Sequence, residues 1–182
     1  KPPGLPDDQV SALEPSSDGG VWVGTGAGLA RYRDGKIEDF RERLGIPTGA
    51  VFNLRRDADD VLWIGSRLGL HRFEPVSNVG ADVRRLTSKP DSRRDLRGNQ
   101  SLVTSNPTVK EVVSNTFSKG FRRVSITVTN GLPDQHIWCS ARTLDGKIWM
   151  GTDRNGLLGY DGKAVTVLDK RDGMSGNRVF TV

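Results

Sequence analysis

Short apolar stretches alternate with polar turns along the whole chain, and no stretch carries the 3.6-residue spacing of a helix of useful length. Alternating segments at Val10 to Leu13, Val51 to Leu54 and Ile137 to Ala141 read as strands with one face buried. Each is followed by an Asp-centred turn and then by a tryptophan strand. These are Val21-Trp22-Val23-Gly24-Thr25, Leu62-Trp63-Ile64-Gly65-Ser66 and Ile148-Trp149-Met150-Gly151-Thr152. A third strand ends in an aromatic residue (Gly28 to Tyr32, Gly69 to Phe73, Gly156 to Tyr160). A short fourth one (Ile37 to Phe40, Val165 to Leu168) comes after the tight turns Asp34-Gly35 and Asp161-Gly162, which are hairpin signals.

These elements repeat with a fixed period, the first property to seek in a chain of short strands. Gly4-Leu5-Pro6 recurs as Gly45-Ile46-Pro47, as Gly131-Leu132-Pro133 and, more loosely, as Gly173-Met174-Ser175, at steps of 41, 86 and 42 residues. The tryptophans keep the same steps, and an aspartate stands four residues before each (Asp18, Asp59, Asp145). The step of 86 equals two periods, which predicts units at about 4–44, 45–87, 88–130, 131–172 and 173–182. The third is a degenerate blade or an insertion, and the fifth is partial. Four antiparallel strands per unit of about 40 to 50 residues is the arithmetic of a β-propeller blade. The predicted fold is therefore an all-β propeller of about four blades plus the first strand of another. Five first strands with four sets of partners do not close a ring, so the chain reads as part of a larger propeller, with a subunit that completes a ring with copies of itself as the alternative.

The phrase G-L-P, an alternating strand, D-x-x-G-x-hydrophobic-W-hydrophobic-G-T and then G-L-x-x-aromatic resembles the two-component regulator propeller repeat. The likeness covers residues 4 to 75 and 131 to 182, and hardly touches 76 to 130. It implies the sensor propeller of bacterial hybrid histidine kinases and related receptors, on the periplasmic or extracellular side of a membrane-anchored protein. It further implies oligosaccharide fragments as ligands for part of the family. The partners expected are a small-molecule or oligosaccharide ligand and a second propeller in a homodimer. Contact with a membrane would come only through receptor parts outside this chain.

Composition narrows the chemistry. The 182 residues carry a formal charge of +5, 22 glycines and one cysteine, Cys139. A lone cysteine makes neither an internal disulfide nor a thiolate metal site. No window approaches the ~20 apolar residues that cross a bilayer. Much of the excess base lies in one stretch, Arg84 to Arg97. No aromatic residue is interleaved with it, so it reads as a solvated loop and not as a nucleic-acid interface.

Gly24 to Gly28 has the look of a dinucleotide loop, but no helix comes after it, so it reads as a hairpin. Asp57, Asp59 and Asp60 lack calcium-loop spacing and occupy an ordinary turn. No metal and no cofactor is expected. His71, on a third strand, reads as a surface or interblade residue, and the tryptophans read as packing between blades.

In a four-stranded meander the loop entering strand one and the loop joining strands two and three share a face. That face collects Asp7, Asp8, Gln9, Thr48, Asp134, Gln135, His136, Asn177 and Arg178 from one loop set. The other set brings Arg67, Asp153, Arg154 and Asn155. Function on a rigid scaffold sits in such loops. The predicted ligand-binding set is Arg67, Arg154, Asn155, Asp153, Gln135, His136, Gln9 and Arg178, because guanidinium forks suit carboxylate or sulfate. The expected function is a non-catalytic, ligand-sensing propeller segment that binds a polar or acidic saccharide. Two alternatives stand beside it, a propeller lyase or hydrolase with His136 as base and a protein-interaction scaffold.

Overall fold

The structure, a computed structural model, describes residues 4–41, 49–75, 112–118 and 121–182. Gly45-Ile46-Pro47, Thr48 and the basic stretch Arg84 to Arg97 lie outside the described residues. Thirteen strands and two single 3-10 turns (Val128–Asn130 and Lys170–Asp172) make up the regular structure among the described residues.

The first sheet is the meander β1 (Val10–Pro15), β2 (Val21–Thr25), β3 (Gly28–Arg33) and β4 (Lys36–Asp39). The last repeats it as β10 (Ile137–Arg142), β11 (Ile148–Thr152), β12 (Leu157–Tyr160) and β13 (Val165–Leu168). The middle sheet has five strands. To β5 (Val51–Arg56), β6 (Leu62–Ser66) and β7 (Gly69–Pro75) it adds β8 (Val112–Ser118) and β9 (Phe121–Ile126), in the order β5-β6-β7-β9-β8. Strand β9 pairs antiparallel with β7, Leu70 opposite Ile126, and so takes the place that β4 and β13 hold in their sheets.

These sheets are propeller blades, and the contacts between them decide between the two readings of the third unit. The described part of residues 88–130 belongs to the second sheet, as an insertion would and a separate degenerate blade would not. The glycine of each W-x-G phrase marks where the next blade's first strand approaches. A Cβ on Gly24 would stand 2.7 Å from Val51 Cγ1, and one on Gly65 would stand 2.8 Å from Ile137 O. On Gly151 it would stand 2.5 Å from Val179 O. Blades two and three are therefore direct neighbours, and the segment between β7 and β9 is an insertion into one hairpin. An insertion of one period's length imitates a blade in any count of residues.

The core lies in the seams. Trp22, Leu29, Phe40, Val51, Leu54, Leu62, Ile64 and Phe73 fill the first seam. Trp63, Leu70, Ile126, Ile137, Met150 and Tyr160 belong to the second. Alternation along β6 accounts for the division, since Leu62 and Ile64 point to the first blade and Trp63 to the third. Trp22 and Trp63 are 2% and 7% exposed, so they pack between blades as expected. Arg31 and Arg72 lie over the two rings at 5.2 and 5.7 Å. Trp149, on the outer side of the third blade, is only half-buried. Its cross-strand partner is Gly159 instead of an arginine, and Lys147 supplies the cation at 5.4 Å.

His71 is not a surface residue, for it is 1% exposed, and its place opposite Ile64 puts it on the face of the second sheet that turns to the first blade, the interblade side. Its Nε2 lies 3.2 Å from Ser66 Oγ and its Nδ1 3.0 Å from Ser125 Oγ. A buried imidazole with both nitrogens partnered is a structural hydrogen-bonding group.

Candidate functional site

Each blade ties its entry loop to its β-hairpin loop, which brings the two loop sets onto one face. In the first blade Gly26 N donates to Gln9 O at 3.0 Å, and in the second Arg67 N donates to Ala50 O at 2.9 Å. In the third blade a side chain makes the link. Asp134, 7% exposed, accepts from His136 N through Oδ1 at 3.1 Å and from Arg154 N through Oδ2 at 3.0 Å. Asp7 stands at the same repeat position and accepts from Gln9 N at 2.7 Å. The fourth letter of G-L-P-D is thus a loop staple, formed because an Asx side chain readily bonds the backbone two residues on.

Among the predicted residues, Asp153, Arg154, His136 and Arg178 converge on the third blade. Asp153 lies 3.0 Å from Arg178 Nε and 3.6 Å from Arg154 Nε. Both arginine side chains remain largely exposed, at 61% and 82%. Arg178 is carried there by the partial unit, whose backbone is stitched to this blade. Val179 N donates to Thr152 O at 2.9 Å, and Asn177 O accepts from Gly156 N at 2.8 Å. Asn155 N bonds Thr152 Oγ1 at 3.1 Å, which shapes the hairpin tip. Gln135 is half-buried between Asp134 and His136 in the entry loop. Arg67 and Gln9 are exposed on the second and first blades. No hydrogen bond or ion pair joins either side chain to the cluster among the described residues.

The geometry limits what His136 can do. Its Nδ1 is 3.8 Å from Asp134 Oδ1, beyond hydrogen-bond distance, and both Asp134 oxygens already accept backbone N–H groups. The pair does not form an oriented acid–base dyad. Among the described residues no three His, Cys, Asp or Glu side chains are placed to hold a metal ion. No helix of the described residues is long and apolar enough to cross a membrane.

A strip of aromatic rings borders the cluster. The first strand of every blade carries a bulge at the same place, between Val10 and Ala12, Val51 and Asn53, and Ile137 and Cys139. A bulge re-aims the extra side chain. In the first blade that residue is Ser11, whose hydroxyl bonds Gly24 O and Val51 O across the seam. In the next two it is Phe52 and Trp138, whose rings stack at 4.3 Å with a 33° tilt. Phe180, at the equivalent place in the partial unit, meets Trp138 edge-on at 5.5 Å, and Arg178 lies over it at 5.9 Å. Reading single motifs missed these rings. They recur in phase with the G-L-P landmark, and that phase was the signal that could have found them.

Residues 4–27 match the family model described as two component regulator propeller. No curated protein matches the chain. Among solved structures, the extracellular domain of a hybrid two-component system from B. thetaiotaomicron is similar at 21% identity and a TM-score of 0.41. The alignment covers 95% of this chain and 24% of that one. A second such domain from the same organism aligns at 18% identity and a TM-score of 0.37, covering 91% and 25%. Virginiamycin B lyase from Staphylococcus aureus aligns at 13% identity and a TM-score of 0.39, covering 92% and 58%. The chain thus spans about a quarter of the length of the two-component extracellular domains. Its own residues make three propeller blades, the first of which carries a two component regulator propeller repeat.

Proposed function

We propose that the chain is a non-catalytic segment of the extracellular sensor propeller of a two-component signalling receptor, and that its loop face binds a polar or acidic saccharide. The regulator-propeller match over residues 4–27 supports the sensor assignment. One observation carries the ligand class. Two exposed guanidinium groups, Arg154 and Arg178, are held around Asp153 beside the aromatic strip. Guanidinium groups take up carboxylate or sulfate, and ring faces take up the apolar faces of a sugar. Such a ligand shifts the receptor only through different affinities for its two signalling states.

The test is titration calorimetry with oligosaccharides that contain uronate or sulfate groups, each beside its neutral counterpart. Arg154→Ala combined with Arg178→Ala should weaken the acidic members about tenfold, as expected for loss of charge-assisted hydrogen bonds, with the urea midpoint unchanged. Equal affinity in that variant rejects the site. Failure of every acidic member to bind rejects the ligand class.

A further inference from the structure

A groove of about 380 Å3 opens between the second and third blades on the opposite face from the loop cluster. The ends of β5 and β10 and the turns leading into β6 and β11 form it. The corresponding place in the first seam is closed by a latch, in which Ser17 Oγ donates to Asp60 Oδ2 at 2.6 Å. Counted back from each tryptophan, the equivalent residues of the second seam are Ala58 and Gly146. Neither has a polar side chain to span the gap, and both line the groove.

Three further substitutions separate this seam from the first. Asp57 replaces the Ser16 and Thr143 of the other turns. Its side chain is 6% exposed, and its Oδ2 accepts from Trp63 Nε1 at 2.9 Å and from Arg142 Nη1 at 2.7 Å. Its Oδ1 accepts from the backbone of Asp59 and Val61, both at 3.0 Å. This buried carboxylate holds the Arg142 guanidinium in place on the groove wall. Arg55 stands where the other blades have Glu14 and Ala141, and it is exposed with no ion-pair partner among the described residues. Leu144 stands where the other turns have Ser17 and Ala58, fully exposed at the tip of the third blade's turn. Asp59 sits near the groove as well, with Oδ2 3.9 Å from Arg142 Nη1.

We propose that this groove is a second binding site, for a small organic anion with an apolar body. Its carboxylate would lie between Arg55 and the preorganised Arg142, displacing only the long Asp59 pairing. Its body would cover Leu144, Ala141 and Ile148. A concave, part-apolar wall with two guanidinium-bearing residues in its lining has the composition of a small-molecule pocket. The site uses no residue of the loop face and does not depend on the saccharide reading.

The probe is phenylacetate, titrated into the uniformly nitrogen-15-labelled chain, with phenylacetamide as the uncharged isostere. Phenylacetate should shift the Trp63 indole and Gly146 amide resonances saturably, and phenylacetamide should bind about tenfold more weakly, the loss expected for a charge-assisted hydrogen bond. Arg55→Ala should cost a similar factor. Ala58→Ser with Gly146→Asp installs the latch of the first seam and should abolish binding without altering the urea midpoint. An aspartate fits there, since Asp60 occupies the same turn position at φ 62° and Gly146 has φ 86°. Arg154→Ala with Arg178→Ala should leave phenylacetate affinity unchanged, which separates this site from the loop face. Absence of a saturable shift, equal affinity for acid and amide, or full affinity in Arg55→Ala would each overturn the proposal.

Discussion

His71 sets the pH response expected of this fold. Burial, with a smaller contribution from the Arg123 charge, pushes its imidazole down from the ordinary 6.5 to about 4. Between those values the unfolded chain takes up a proton that the folded chain does not. Stability therefore falls as the pH is lowered from about 6.5 to about 4, and levels off below. The loss amounts to about 3 kcal/mol. Urea unfolding across that range measures it. His71→Leu, which copies Leu158 at the equivalent place of the third blade, should flatten the profile in this window. An unchanged slope in the variant would assign the acid sensitivity elsewhere.

At the scale of elements, the decisive feature is the connection from the third strand to the fourth. Blades one and three turn at once through Asp34-Gly35 and Asp161-Gly162, with Asp161 Oδ1 accepting from Lys163 N and Ala164 N at 2.9 and 2.8 Å. The second blade has Glu74-Pro75 there, with no glycine for a two-residue hairpin, and its fourth strand arrives only at Phe121. Because Pro75 lies opposite Phe121, a tight turn can replace the residues between them. Exchanging residues 76–120 for Asn-Gly should leave a four-stranded second sheet and a cooperative urea transition, with the midpoint lowered only modestly. Loss of the transition would show that β8 is required for the blade. The same element-level reading applies to the loop face, where the Asp134 staple and the bulge positions are set by the repeat phase.

At the scale of the molecule, stability resides in two seams that share the middle blade. Burial of one large apolar side chain stabilises by roughly 1.5 to 3 kcal/mol, and each seam gathers several. The W-x-G glycines control how closely the blades approach, and they differ in what they face. Gly65 faces the backbone carbonyl of Ile137, whereas Gly24 faces a methyl group of Val51. A carbonyl fixed in a strand cannot yield. Gly65→Ala should therefore cost about 2 to 3 kcal/mol and Gly24→Ala about 1 kcal/mol, within the range for overpacked cores. Denaturant midpoints rank the two, and the reverse order would contradict the seam geometry.

Strand pattern, tight turns and a repeat in phase were enough to name the blade, its four strands, the interblade role of Trp22 and Trp63 and the two loop sets that share a face. All of these rest on local periodicity, because a half-buried strand must alternate and a hairpin must turn within a few residues. The number of blades in this stretch was not local. An insertion of one period's length and a degenerate blade have the same residue count, and the pairing of β9 with β7 together with the packing of Gly65 against Ile137 distinguishes them. The convergence of Arg154, Arg178 and Asp153, the burial of His71 and the open second seam are likewise products of packing. They depend on which side chains from different repeats meet in space. Within one repeat, nothing shows that Ser17 reaches Asp60 while Ala58 and Gly146 leave a gap.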